Sequence, residues 1–268
     1  MRHSRSAQGT STLRAIPTVL AISLIGTGCN TARTADATAH DGVGTEAPSD
    51  CSALPDAGAI AKLLKSAPDS GQVGGLFGGR AEWGATVNRK GQICAVVAPS
   101  DSAGGYWPGS RSIAMAKAFT ANGFSTDTAA MSTARLYTFA QPGHSLFGAV
   151  QPEPFNPECL DPAKTVKMCG GGIVFGGGVP LYKNGRIVGG LGVSGDTPCA
   201  DHEIAKRVRH MAGLDPKLGP TVDDIQYAKV DHASIYTHPL CPIFCPLRHV
   251  VLSGRTREIG RASCRERV

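Results

Sequence analysis

The spacing of apolar residues predicts a helix and then a β-hairpin in the first half of the chain. Ile60 and Leu64 lie one helical turn apart, and Asp56 stands ahead of them where an N-cap is expected. Apolar residues then alternate over 81–87, the turn sequence NRKG follows, and a second apolar run covers 93–97. The pattern thus changes from the helical period to the strand period.

The rest of the pattern predicts two helices, a second hairpin and a last helix. The two helices cover 108–124 and 126–143, and the hairpin covers 179–195 around an Asn-Gly turn. The last helix runs to about Leu214, and a final extended segment lies at 223–227. Helices that alternate with antiparallel strand pairs predict an α+β domain and not a series of βαβ units.

The net charge of +6 lies at the two ends of the chain. Three arginines and no acidic residue occur in 1–28, and five arginines against two glutamates occur in 254–268. The neutral body argues against a nucleic-acid-binding face. We expect a polar tether over 29–50, a folded domain over 51–247, and a basic tail (the last 21 residues) that is artefactual or disordered.

The first residues have the organisation of an export signal. Basic residues precede the apolar run 15–25, which is too short to remain as a membrane span, and small residues follow. Cys29 stands where a lipid-modified cysteine would, although Gly26 replaces the usual leucine three positions ahead of it. We therefore expect an exported protein at the periplasmic or outer surface, with membrane contact only through a lipid anchor at Cys29.

The nine cysteines fit an oxidising destination better than a zinc site, because no CxxC pair occurs. With Cys29 and Cys264 set aside, seven cysteines remain, and an odd number leaves one thiol unpaired. The candidate pairs are Cys159 with Cys169, Cys51 with Cys94, and Cys199 with either Cys241 or Cys245.

Eleven of the 34 glycines fall within 170–196. A dinucleotide-binding loop needs a helix directly after its glycines, and here the strand-like segment VPLY follows them. A flexible linker is excluded too, because the glycines are interleaved with apolar strand segments. They are best explained as turn and bulge positions, where a ligand or another backbone comes close.

Two segments carry a resemblance to a known family. The stretch GGGVPLYKNGRIVGGLGVSGDTPCADHEIAKRV (176–208) and the helix SRSIAMAKAFTA (110–121) resemble the HbpS/GlcG-like family, which includes the C-terminal domain of the PduO type. The resemblance covers 51–214 and implies a profilin-like sandwich, with a central antiparallel sheet between helices. It also implies a homo-oligomer and, as in several members, the binding of haem.

Candidate ligand-binding residues lie on the glycine-rich hairpin and on the helix 108–124. A cation and a hydroxyl one turn apart would suit an anionic group such as a haem propionate, and the hairpin would line the pocket. The alternatives are a lysine that extends to solvent and a hairpin that packs tightly on a helix. The candidates are Lys117, Thr120, Gly176, Gly177, Gly178, Pro180 and Ser194.

Candidate iron ligands are less well defined, because one imidazole beside an apolar surface suffices for haem. His144 precedes the apolar segment SLFG, and His202 lies at the start of the last helix beside Asp201 and Glu203. Capping and the helix dipole also explain these two carboxylates. The other histidines of the domain, His210, His232 and His238, are not distinguished by spacing. The absence of CxxCH excludes covalent haem attachment by that motif.

The sequence therefore favours an exported protein that binds haem or senses haem or iron, without catalysis. The alternative is a small-molecule-binding accessory subunit, or an enzyme of unknown chemistry in two-carbon or diol metabolism. No nucleophile elbow occurs: the segment GVSGD lacks the spacing of GxSxG. A purely structural oligomeric module is the third possibility.

Overall fold

The computed structural model describes most of the predicted domain. The described residues are 51–99, 105–148, 155–161, 163–227, 236–239 and 241, with the backbone of 249–252 and 255–258. The predicted export signal and tether lie outside the described residues, as do Cys29, Cys245, Cys264 and His232. No helix in the described part of the chain is long and apolar enough to cross a membrane.

The main elements follow the order predicted from the apolar pattern, with one exception. They are α1 (Ala57–Ser66), β1 (Trp83–Asn88), β2 (Ile93–Val97), α2 (Ser110–Gly123), β3 (Gly178–Lys183), β4 (Arg186–Ser194) and α3 (Pro198–Met211). Short strands β5 (Gln226–Tyr227) and β6 (Thr237–His238) pair in parallel, and β7 (His249–Leu252) pairs with β8 (Arg255–Glu258) in antiparallel fashion within the predicted tail.

Strands β1 to β4 form one antiparallel sheet in the order β2-β1-β4-β3. The two hairpins meet at their inner strands, where Ala85 of β1 lies opposite Gly192 of β4. Helices α1 and α3 pack on one face of the sheet, around Ile60 and Ile204, and α2 packs on the other face, around Ala114. The predicted α+β sandwich, an antiparallel sheet between helices, is thereby confirmed.

The glycines of β4 allow α2 to lie directly on the strand. A Cβ atom at Gly192 would overlap the carbonyl oxygen of Ala114, and one at Gly190 would overlap that of Ala118. Both helix residues are alanines with no exposed surface, so small side chains line each side of the contact. The glycine density of this hairpin therefore reflects close approach of two backbones.

The predicted helix over 126–143 is wrong. The segment instead contains short 3₁₀ turns at Thr133–Leu136 and Thr138–Ala140. Side-chain oxygens take the place of helical acceptors: the Met131 amide donates to Ser125 Oγ, and the Ala129 amide donates to Thr126 Oγ1. Serine and threonine compete with helix formation in this way.

Three disulfides link the described cysteines. They join Cys51 to Cys94, Cys159 to Cys169, and Cys199 to Cys241. Each is a pair expected from the sequence, and Cys241 is the partner of Cys199 among the two candidates. The first bridge ties the start of the domain to β2, and the last ties the first turn of α3 to the segment after β6.

Candidate functional site

A buried ion pair joins the two helical layers. Lys117 of α2 is fully buried, and its Nζ lies 2.6 Å from Asp201 Oδ2 in the first turn of α3. The ammonium also donates to the carbonyl oxygen of Val193 at 3.0 Å. Asp201 Oδ1 accepts the backbone amides of Gly195 and Asp196, at 3.2 and 2.8 Å. The Lys117 side chain thus pairs with groups inside the protein and does not extend to solvent.

Glu82 adds a second carboxyl to this centre. It is 2% exposed, and no N–H donor of the described residues reaches its side-chain oxygens, so the Asp201 carboxylate is their hydrogen-bond partner. Burial, and then the neighbouring charge of Asp201, raise the pKa of Glu82 well above its usual range. Burial raises the pKa of Asp201 too, but Lys117 opposes that shift. We therefore assign the proton to Glu82 and the negative charge to Asp201, which leaves the centre neutral overall.

The three glycines at the start of β3 and directly before it close around the ion pair. A Cβ atom at Gly177 would lie 2.6 Å from Lys117 Nζ and 2.9 Å from Asp201 Cβ. One at Gly178 would lie 2.6 Å from the Lys117 carbonyl oxygen, and one at Gly176 would lie 3.1 Å from His202 Cβ. Protein atoms occupy the space beside these three glycines, so the hairpin forms the wall of a packed centre.

The other predicted ligand-binding residues are also buried and contact other parts of the protein. Thr120 Oγ1 donates to the Ala116 carbonyl at 2.7 Å and accepts the amide of Ile173 at 3.0 Å. Pro180 lies within β3, and Ser194 is buried at the end of β4. The structure therefore gathers Lys117, Asp201, Val193 and the three glycines around one buried centre, and none of these side chains faces an open pocket.

The predicted iron ligands lie in different environments. His144 is exposed on the turn after the 3₁₀ segment, and its imidazole forms no hydrogen bond or ion pair with the described residues. His202 is buried, and neither ring nitrogen has a partner there. Burial lowers the pKa of His202 to about 3, so its ring is neutral at physiological pH. Glu203 pairs with Arg207 on the surface of α3 at 2.9 Å. The four predicted ligands do not form one cluster.

Asp196 is a functional residue that the sequence did not single out. Its carboxylate accepts the amides of Leu76, Phe77 and Gly79, at 2.5, 2.8 and 3.2 Å. The glycine-rich loop 71–79 is thereby held against the end of β4. The one signal was the acidic residue that ends GVSGD.

Arg209, in the last turn of α3, is another residue that the sequence did not single out. Its guanidinium is fully buried and forms a fork with Asp223, with contacts of 2.7 and 2.8 Å. The same side chain reaches Asp215 at 3.2 Å and the Pro220 carbonyl at 2.8 Å. Since a two-pronged guanidinium contact is both strong and directional, Arg209 fixes the irregular segment after α3.

A cleft of about 240 Å³ opens between β2, α2 and the loop closed by Cys159 and Cys169. Arg111 and Lys164 contribute cations to it, and Thr165 lines it together with the apolar residues Ile93, Val96, Met115 and Val166. Pockets for drug-sized ligands usually measure about 300–1,000 Å³. The cleft is therefore small for a macrocycle.

Residues 85–209 match the family model described as "Haem degrading protein HbpS-like". None of the curated proteins matches the chain. Three similar solved structures are Klebsiella pneumoniae protein ORFY, a PduOC:heme complex and a double mutant of Streptomyces reticuli HbpS. The first is 23% identical, covers 58% of this chain and 88% of its own, and has a TM-score of 0.41. The second is 22% identical, with 59% and 92% covered and a TM-score of 0.41. The third is 20% identical, with 63% and 91% covered and a TM-score of 0.37.

Proposed function

We propose that the protein is an exported protein that binds haem or senses haem or iron, because residues 85–209 match the HbpS-like family model. The family match is the observation that carries the proposal. The three disulfides support an oxidising destination outside the cytoplasm. The Lys117 centre lends no support to a catalytic role, because its acid and base groups are buried and do not face a pocket.

The fit of haem to the described residues depends on an accessible imidazole beside an apolar surface. The buried centre does not meet this requirement, since Lys117 is already neutralised by Asp201 and the glycines are packed against protein. His144 does meet it: its ring is exposed, and Phe147, three residues on, has 52% of its surface exposed. When bound, haem would supply an iron that takes one axial imidazole. We assign that ligand to His144.

A hemin titration of the full chain tests the binding. We expect a saturable Soret band for the wild type and a shifted or much weakened band for His144→Ala. The matched control is His210→Ala, which removes another exposed imidazole, one paired with Asp215 at 2.6 Å on α3. A wild type without a saturable band overturns haem binding, whereas equal spectra for both variants and the wild type overturn only the assignment of His144.

Fractionation of cells that express the full chain tests export. We expect the protein outside the cytoplasm, in the membrane-associated fraction if Cys29 is lipidated, and in the soluble exported fraction for Cys29→Ser. Retention of the wild type in the cytoplasm contradicts the proposed localisation. Light scattering on the purified protein tests the proposed homo-oligomer, for which a monomeric mass is the contrary result.

A further inference from the structure

A second donor cluster lies at the start of α3, apart from the His144 turn. Ligand atoms of Cys199, His238 and Cys241 all lie within 4.8 Å of one another. This is the one group of three possible metal donors among the described residues. Cys199 and Cys241 are half-buried and joined as a disulfide, and His238 is 1% exposed.

His238 is held in the orientation that a metal-binding imidazole usually has. Its Nδ1 lies 2.7 Å from the carbonyl oxygen of Pro239, which accepts the Nδ1 proton. The other nitrogen, Nε2, is then the unprotonated one and accepts only a long contact of 3.3 Å from the Gly176 amide. A backbone carbonyl that fixes the tautomer in this way is the common arrangement behind a ligating histidine.

His202 lies next to this cluster, outside the 4.8 Å group, and provides an independent observation. It follows Cys199 by three residues on α3, so both side chains lie on one face of the helix. It is 3% exposed, and both ring nitrogens lack hydrogen-bond partners among the described residues. Gly176 lies between the two histidines: it contacts His238 Nε2 through its amide, and its Cβ position is 3.1 Å from His202 Cβ. A buried imidazole with no partner is the side chain that a fourth coordination position needs.

We propose that Cys199, Cys241 and His238 form a redox-gated site for a thiophilic d¹⁰ cation such as Zn²⁺. His202, which lies outside the 4.8 Å group, would become the fourth donor by a change of its rotamer. The gate is the disulfide, because its two sulfur atoms bind metal only as thiolates. A dithiol reductant breaks the S–S bond, and the two electrons it supplies leave it as a cyclic disulfide while two cysteine thiols form. The cation then displaces one proton from each thiol, and both protons go to solvent.

The position of Cys199 favours the metal-bound form after reduction. The residue lies in the first turn of α3, where the helix dipole stabilises a thiolate. Both forms tie the same two segments together, since either the disulfide or the cation links α3 to the residues after β6. The inference does not rest on haem binding, which uses a different turn of the protein.

The test measures Zn²⁺ binding by the full chain in its oxidised and its reduced state, by competition with a chromophoric chelator. A parent variant with Cys29, Cys245 and Cys264 replaced by serine removes the cysteines other than the six of the described disulfides. We expect one bound Zn²⁺ per reduced chain and none per oxidised chain. His238→Gln should weaken binding at least about tenfold. The Cys159→Ser/Cys169→Ser variant, which lacks a different disulfide, should bind as the parent does.

Two measurements keep the proposal testable if the reduced chain is unstable. Co²⁺ added to the reduced parent should give the thiolate charge-transfer band and the d–d bands of a tetrahedral site with two sulfur ligands, and Cys199→Ser/Cys241→Ser should abolish them. Zn²⁺ should also raise the Tm of the reduced parent but not of the oxidised one. Zn²⁺ binding that survives Cys199→Ser/Cys241→Ser, or a reduced chain that neither binds nor is stabilised by Zn²⁺, overturns the proposal.

Discussion

Lys117 and Asp201 approach to 2.6 Å, although they belong to helices on opposite faces of the sheet. The two side chains are 0% and 2% exposed, so the pair is almost fully removed from water. Such a pair contributes little net stability by comparison with apolar residues of the same shape. The loss of one partner is costly all the same, because it leaves a buried charge without a counter-ion. The pair therefore specifies how α2 and α3 are placed relative to each other.

Replacing Lys117 tests this consequence. Lys117→Met should lower the free energy of unfolding by about 3–5 kcal/mol, because Asp201 loses its counter-ion inside the protein. Urea denaturation measures the change. Lys164→Met is the matched control, since Lys164 pairs with Glu158 at the surface and should change stability by less than about 1 kcal/mol. Adding Asp201→Asn to Lys117→Met should recover part of the lost stability. If the double variant loses as much stability as the two single variants together, the two side chains are not coupled.

The proton assigned to Glu82 predicts a dependence of stability on pH. The pKa of Glu82 is raised in the folded protein, so the folded state binds this proton more tightly than the unfolded state does. The contribution is fully present below pH 4.5, the ordinary value, and is lost as pH rises through the folded pKa. Glu82→Gln keeps a neutral side chain throughout and should become more stable relative to the wild type as pH rises. Urea denaturation across that range measures the difference.

The control for Glu82→Gln is Glu203→Gln, because Glu203 is partly exposed and paired with Arg207. Glu203→Gln makes the same chemical change at a partly exposed site and reports any general effect of the substitution. Parallel curves for Glu82→Gln and the wild type would show that Glu82 is ionised in the folded protein.

The buried, neutral ring of His202 leads us to expect a loss of stability as the pH falls below 6.5. Burial lowers the pKa of His202 from 6.5 to about 3, so between these values the unfolded state binds a proton that the folded state does not. The stability is fully present above pH 6.5 and falls as pH decreases toward 3, by at most about 5 kcal/mol for a shift of this size. His202→Gln should flatten this part of the stability profile.

Thermal unfolding of wild type and His202→Gln from pH 7 to pH 4 measures the effect. His144→Gln serves as the control, because it makes the same substitution at an exposed imidazole. A profile for His202→Gln as steep as that of the wild type would contradict the prediction.

The contact between Gly192 and Ala114 predicts that a single added methyl group at position 192 lowers the stability of the protein. Gly192→Ala would place a Cβ against the Ala114 carbonyl and should destabilise the protein by about 1–3 kcal/mol or more. Gly123→Ala, at the end of α2, meets no atom within 4 Å and should be neutral or slightly stabilising. Chemical denaturation measures the free energy of unfolding of both variants. If Gly192→Ala is as stable as the wild type, α2 can move away from β4 and the prediction is wrong.

The sequence predicted the features that depend on residues close together in the chain. Asp56 does cap α1, its carboxylate accepting the Ala59 amide at 2.8 Å, and both hairpins form where the turn sequences place them. The helix over 126–143 failed because Ser125 and Thr126 bond to their own neighbouring backbone, and helical periodicity does not report that competition.

The buried centre was not predictable for a different reason. Lys117 and Asp201 are 84 residues apart, and Glu82 reaches the same centre from ahead of β1. Periodicity places each residue on its own element but does not say which polar side chains meet when the layers pack. The sequence therefore points to Lys117 and Asp201 as candidate residues, whereas their pairing is visible only in the fold.

The backbone contact between α2 and β4 limits how this protein can respond to a ligand. Helix and strand touch through main-chain atoms at Gly190 and Gly192, so there are few side-chain rotamers between them that could repack. We expect these two elements to move as one rigid unit. We then expect any conformational change on ligand binding to occur in the segments around that unit. One such segment is the loop 71–79, whose amides donate to the carboxylate of Asp196.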